Sequence, residues 1–225
     1  MTKSAQATVG SSKLGFLMVQ DIGDEGPKIS ETYNRMAALS KADILLFIHD
    51  DVVFLSECWD DKIIEAMEIG FNVVGVTGTK KYLGGTIFHS GREYATGKYA
   101  GYVDGKHVVR IMEHKDAIEP VRAVDGLFMA VSAEHFKHNR FDEQLNGLFF
   151  YDIDYCLRSN CAVADILVSH EKPPELKGKY PKDMKPSEYY EPYFLKKHGL
   201  SPGYPEGDQS CHSVLLSEYR EVMRV

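Results

Sequence analysis

An open, mostly parallel α/β sheet flanked by helices, with a smaller hairpin-rich sheet beside it, is the fold class this sequence predicts. Three observations predict it. Apolar runs at 14–20 (LGFLMVQ), 43–51 (DILLFIHDD) and 71–78 (FNVVGVTG) show little polar alternation, as strands covered on both faces require. A segment of helical period lies between each run and the next. The stretch from Lys80 to Pro120 then changes character, with Gly84-Gly85 and a Val103-Asp104-Gly105-Lys106 turn that read as hairpins. In an open sheet of this kind, ligands bind beyond the carboxyl ends of the strands.

The elements follow in order. Residues 1–13 are polar and small, and are expected to be disordered. LGFLMVQ reads as a buried strand closed by Asp21 and the turn residues GDEGP. Pro27 to Ser40 reads as a helix presenting Ile29, Tyr33, Met36, Ala37 and Leu39. After the strand DILLFIHDD, Ser56 fits the N-cap of a helix through Ile69, with Trp59, Ile63, Ile64 and Met67 on one side and Gly70 as its stop. FNVVGVTG is the next covered strand. AVDGLFMAVS (123–132) is a strand interrupted by Asp125-Gly126, and RFDEQLNGLFF (140–150) is a loop entering a helix that carries Asp152 near its start. ADILVSH (164–170) reads as the last strand. A Pro- and Lys-dense segment follows, and Pro192 fits the first turn of a short helix ending at Gly199. One domain over 14–200, with a tail over 201–225 packing on it, is the expected organisation.

Composition narrows the function classes. The chain has 225 residues, 44% of them hydrophobic, and a net charge of -7, which suits one soluble domain and argues against a surface that grips nucleic acid. Between Lys80 and Lys115 seven Lys or Arg face three acids. Such a wall suits an anionic substrate such as a phosphate ester, and a solvated surface is the plainer reading. The four cysteines form no C-x-x-C pair, so a thiol-reduced cytoplasmic setting without structural zinc is expected. No apolar run is long enough for an integral membrane segment.

Chemistry concentrates at His49-Asp50-Asp51. In extended chain His49 and Asp51 share a face and Asp50 takes the other. An ionised carboxylate at the end of an apolar run is either solvated in a turn, capping backbone N–H groups, or delivered to a cation. Hard cations such as Mn²⁺ or Mg²⁺ take one or two carboxylates together with phosphate oxygens. The motif by itself leaves both readings open.

Four further pieces follow in the same chain: Asp125-Gly126, Phe141-Asp142-Glu143, the run Asp152-Ile153-Asp154-Tyr155-Cys156-Leu157-Arg158, and His170. With Asp50-Asp51, and in this order, the chain resembles the family 2 type of glycosyltransferases with the GT-A fold over about residues 16–199. The resemblance implies transfer of a sugar from a nucleoside-diphosphate donor, most commonly a UDP-sugar, to a glycan or other hydroxyl acceptor. It implies Asp51 and His170 as ligands of Mn²⁺ or Mg²⁺, with His49 in place of the first acid of a D-x-D element. Asp152 is implied as the base that deprotonates the acceptor, with inversion at the anomeric carbon. Asp21, Asn34, His49 and Asp50 fall where members meet the nucleotide, and Asp125, Gly126 and Asp154 where they meet the sugars. Tyr189, Tyr190, Tyr193 and Phe194 lie in a segment that folds over the site in many members, as sugar platforms or as core, and the lysines from Lys172 to Lys185 suit a lid over the diphosphate. The chain departs from the pattern by having only a short polar stretch ahead of LGFLMVQ. It also lacks the Q-x-x-R-W motif of processive synthases, which points to transfer of a single sugar. Two other readings are a sugar nucleotidyltransferase, against which the acidic QDIGDEGPK counts, and a non-catalytic GT-A-like module that binds nucleotide or glycan.

Overall fold

The computed structural model describes residues 2–15, 28–113, 116–171, 186–201 and 211–222. The elements begin with α1 (Thr2–Thr8), α2 (Ile29–Ala37), β1 (Ile44–Ile48), β2 (Val52–Phe54) and α3 (Trp59–Glu68). There follow β3 (Val73–Gly75), β4 (Thr77–Thr79), β5 (Ala95–Val103), β6 (Lys106–Ile111), β7 (Ile118–Val121), β8 (Ala123–Val124) and β9 (Phe128–Ser132). The chain continues through α4 (Ala133–His138), α5 (Tyr151–Leu157), β10 (Cys161–Ala164), β11 (Val168–His170), α6 (Pro186–His198), β12 (His212–Leu215) and α7 (Leu216–Val222).

One sheet has the order β1-β9-β3-β10-β7, and a second runs β12-β6-β5-β11-β2, with β4 and β8 attached through β5. These sheets are mixed, which corrects the expectation of a mostly parallel one. Among the described residues only β3 with β10 and β5 with β11 run parallel. The apolar runs at 43–51 and 71–78 correctly reported covered strands, but coverage carries no information about direction. β1 pairs antiparallel with β9, Ile48 opposite Phe128. FNVVGVTG is divided between the two sheets, β3 in one and β4 in the other.

The alternation of β1 explains its double apolarity. Leu45 and Phe47 enter a cluster with Phe136, Phe141, Tyr151, Tyr155 and Phe194, against which Tyr33 packs. Ile44, Leu46 and Ile48 pack against the opposite cluster, which holds Val52, Phe54, Trp59, Ile63 and Val168. At about 25 cal/mol per Å² of apolar surface removed from water, these two layers are the main stabilising term of the fold.

Several local expectations change. The N-terminal residues form α1 instead of a disordered arm, because Ala5 is buried in the second cluster and Asp60 accepts the Gly10 and Ser12 N–H groups at 2.5 and 2.8 Å. Ser56 does not cap α3; its Oγ accepts the Leu167 N–H at 2.7 Å. Pro192 lies inside α6 and not in its first turn. β11 is followed by β12, which pairs with β6 at the sheet edge. The Val103–Lys106 turn holds: Asp104 and Gly105 both take positive φ, 49° and 76°, as a two-residue hairpin loop of type I′ requires. LGFLMVQ lies outside the described residues except Leu14 and Gly15, which belong to no strand. The lysine-rich stretch from Lys172 to Lys185 and the Tyr189 side chain also lie outside them. No helix among the described residues is long and apolar enough to cross a membrane.

Asp154 fastens α6 to α5. Its carboxylate has no exposure and meets Arg158 at 2.8 Å, Lys197 at 2.6 Å and His198 at 2.8 Å. Removing one member of a buried ionic group leaves the others uncompensated, so Asp154→Ala is expected to lower stability by about 3 kcal/mol, read as a shift of the urea midpoint at unchanged slope.

Candidate functional site

Strand pairing builds one half of the site. β2 runs antiparallel to β11 with Val52 opposite His170, and the Glu171 N–H donates to the Asp51 carbonyl at 2.8 Å. His170 thereby lands beside Asp51, although the two are far apart in the chain. His49-Asp50-Asp51 is a turn between β1 and β2, closed by the Val52 N–H donating to the His49 carbonyl at 3.4 Å. It is not a continuation of the strand. Asp50 is exposed, while His49, Asp51 and His170 are half-buried.

One ligand-capable atom from each of His49, Asp51 and His170 lies within 4.8 Å of the others. Asp51 Oδ1 approaches His170 Nε2 at 3.1 Å yet is enclosed without a hydrogen bond of its own. Burial pushes the Asp51 carboxyl up; His170 and then His49 outweigh it, and the group ends below the usual carboxylate range. Burial lowers His49, Asp125 opposes this and His170 reinforces it, so the ring is held towards its neutral form. Two imidazoles and a carboxylate with an unused oxygen are a donor set for a divalent cation.

The other half of the site comes from α5 and the β8–β9 loop. Asp152 sits in the first turn of α5, whose N-cap is Phe150. It accepts the Gly126 N–H at 2.8 Å and the Ile153 N–H at 2.9 Å. Burial first, and then the negative charge of Asp125, raise its carboxyl to about 7, against those backbone donors. Asp125 itself turns back to accept the Leu127 N–H at 2.8 Å. Its charge acts on Asp152 and on His49 alike, so it joins the two halves electrostatically.

Gly126 is required by space. A Cβ there would lie 2.7 Å from Tyr151 Cζ and 3.1 Å from the Asp152 Cβ. The Tyr151 hydroxyl donates to the Gly126 carbonyl at 3.3 Å in the same contact.

Other expected site residues are engaged elsewhere. Asn34 is buried and its amide clasps the 140–150 loop, donating to the Phe141 carbonyl and the Glu143 carboxylate, both at 2.9 Å, and accepting the Phe141 N–H at 3.1 Å. Both amide protons are thus spent on this loop. Asp154 projects to α6 and not towards Asp152, since two helical positions are about 200° apart. Tyr193 and Lys197 both donate to Asp142, at 2.7 and 2.6 Å, Phe194 stacks on Phe150 with centroids 4.7 Å apart, and Tyr190 fills the space beside Gly147. These three aromatics anchor α6. Of the seven basic residues of the wall, Lys80, Lys98 and Arg110 are held by Glu119, Asp165 and Tyr99. Asp21 lies outside the described residues.

Three tyrosines near Asp152 escaped sequence reasoning. Tyr33, Tyr82 and Tyr151 are each raised by burial first, with the charge of Asp152 adding to the shift. Glu191 of α6 also acts on Tyr82. No motif marks these positions, and only packing assembles them.

Residues 18–198 match the model of a family described as "Glycosyltransferase like family". No curated protein matches the chain. Among solved structures, "Crystal Structure of A197 from STIV" is similar at 14% identity with a TM-score of 0.37, over 60% of this chain and 61% of that one.

Gly126→Ala is expected to cost about 1–3 kcal/mol by overpacking Tyr151 and Asp152, whereas Gly15→Ala, with nothing near its Cβ, is expected to be neutral. Paired thermal melts check both.

Proposed function

The chain belongs to this glycosyltransferase-like family, and on that premise we propose that it transfers a single sugar from a nucleoside-diphosphate donor, a UDP-sugar first among them, to an acceptor hydroxyl. The observation that carries this reading is that a cation-competent cluster and a carboxyl of raised basicity both feel the charge of Asp125. An aspartate at its ordinary value is a poor base at neutral pH, and one brought to about 7 is matched to proton abstraction there.

In the proposed reaction the acceptor oxygen attacks the anomeric carbon while Asp152 takes the hydroxyl proton. The bond from that carbon to the diphosphate breaks, and the nucleoside diphosphate leaves with the electron pair. A single displacement of this kind inverts the anomeric centre. Each Asp152 oxygen already accepts one backbone N–H, which orients the carboxylate and leaves a lone pair on each for the proton. The charge of Asp125 adds to burial in keeping the Asp152 proton affinity high.

His49, Asp51 and His170 would hold the divalent cation, and the unpartnered Asp51 oxygen is the feature that fits it. When bound, such a cation offsets the negative charge gathering on the departing diphosphate. Two imidazole donors favour Mn²⁺ over Mg²⁺, which prefers oxygen ligands alone. The readout that checks this is a thermal shift with Mn²⁺ and no substrate. A hundredfold excess over the dissociation constant adds about 2.7 kcal/mol, and Asp51→Ala or His170→Ala should erase the shift. An equal response in the variants would remove the cluster from the mechanism.

Asp152→Asn separates catalysis from structure. Turnover of UDP-sugar should fall by about 10²–10⁴-fold with UDP binding retained; binding without cleavage even by the wild type would instead indicate a sugar-binding module.

The pH dependence follows from the same group. Its folded value lies above the unfolded one, so its protonated form is favoured in the fold. Stability is fully present below about pH 4 and is lost as pH rises through about 7. Activity moves the other way, rising through the same window as the base is freed. Asp152→Asn removes the titrating group but also one of its two acceptors, so the readout is the slope with pH: wild-type stability should fall between about pH 5 and pH 8, and the variant's should be flatter. An equal slope in the two would show that Asp152 is an ordinary helix-start acid.

A further inference from the structure

The loop that enters α5 is pinned at almost every residue except one. Leu145 accepts from Ser30 through its carbonyl at 2.8 Å, and the Asn146 amide oxygen accepts the Glu31 N–H at 3.1 Å. Gly147 is closed over by Tyr190. Phe150 is buried on Phe194. Between them Phe149 stands exposed, the residue 39% accessible.

Phe149 is the one large exposed hydrophobic beside the site. The other exposed large hydrophobics among the described residues, Leu39, Ile69 and Tyr102, sit past the ends of α2 and α3 and on the β5–β6 hairpin. Phe149 is only three residues from Asp152, so their Cα atoms are within about 10 Å even in extended chain. That is the scale of one sugar ring.

Phe150 takes φ 67°, the left-handed region, which is unfavourable for a bulky residue and persists only where surrounding contacts over-determine it. The Phe194 stack holds Phe150 inside, and Phe149 next to it stays exposed.

We propose that Phe149 is the acceptor platform: a flat apolar face on which the C–H side of a pyranose stacks, placing a ring hydroxyl over Asp152. The negative face of an aromatic ring attracts the partly positive C–H bonds of a sugar, and an aromatic side chain with few rotatable bonds fixes orientation at small entropic cost. The acceptor is thus a pyranoside and not a flexible alcohol or a protein hydroxyl. This deepens the transfer reading and rests on it.

Phe149→Ala and Phe149→Trp, assayed with UDP-glucose, UDP-galactose and UDP-N-acetylglucosamine against methyl hexopyranosides, glycerol and a serine peptide, test the proposal. Phe149→Ala should raise the pyranoside KM about tenfold while leaving donor hydrolysis and Tm unchanged, and Phe149→Trp should restore the KM. A second readout needs no turnover. The chain's single tryptophan, Trp59, is buried, so the indole introduced by Phe149→Trp is the one open to acrylamide quenching. Methyl hexopyranosides should shield it, and glycerol should not. Unchanged acceptor KM in Phe149→Ala, no shielding by any pyranoside, or a lowered Tm in both variants would each overturn the platform. Failure of every donor in the wild type with shielding intact would instead strike the transfer reading and leave the platform standing.

Discussion

The site depends first on the register between β2 and β11. With Val52 opposite His170 and the Glu171 N–H on the Asp51 carbonyl, the imidazole and the carboxylate meet without any long side-chain reach. Because side chains alternate with a period of two, a one-residue slip would send His170 through the sheet and bring Ser169 to its place. The slip is resisted by apolar burial, since Val52, Phe54 and Val168 all enter the same cluster. Packing of aliphatic side chains therefore fixes the geometry of the polar cluster.

The second constraint is electrostatic. Asp125 and Asp152 are kept close by a loop that has no space for a Cβ at Gly126. Burial and like charge both oppose ionisation of Asp152. The fold bears this cost because the aromatic layer beneath, Tyr33, Phe141, Tyr151 and Tyr155, is extensive enough to over-determine the loop. A group held against its preference in this way is a common mark of a working site.

Much of what looked like site chemistry in the sequence is scaffolding for these two features. Phe141-Asp142-Glu143 ties α2 to α6: Asn34 takes Phe141 and Glu143, while Tyr193 and Lys197 take Asp142. Asp154 holds the same helix from the other side. These acids fix the loop whose last residues carry Phe149 and lead to Asp152.

The sequence by itself determined that strands and helices alternate, that the apolar runs at 43–51 and 71–78 are covered on both faces, and that Asp-Gly turns the β5–β6 hairpin. His49-Asp50-Asp51 stood out as charge at the end of an apolar run, whereas Asp152 and His170 were marked by the resemblance to glycosyltransferases that the order of the motifs carries. Strand direction was not legible, since double coverage looks the same in parallel and antiparallel sheets. The α1 helix was not legible either, because Asp60, which holds the segment after it, lies in a different part of the chain. The separate fates of Asp152 and Asp154 needed the helix phase and the position of α6. Tertiary structure alone decided which acids are paired and which are left poised, since a carboxylate's partners, and hence its proton affinity, come from whichever distant segments pack against it.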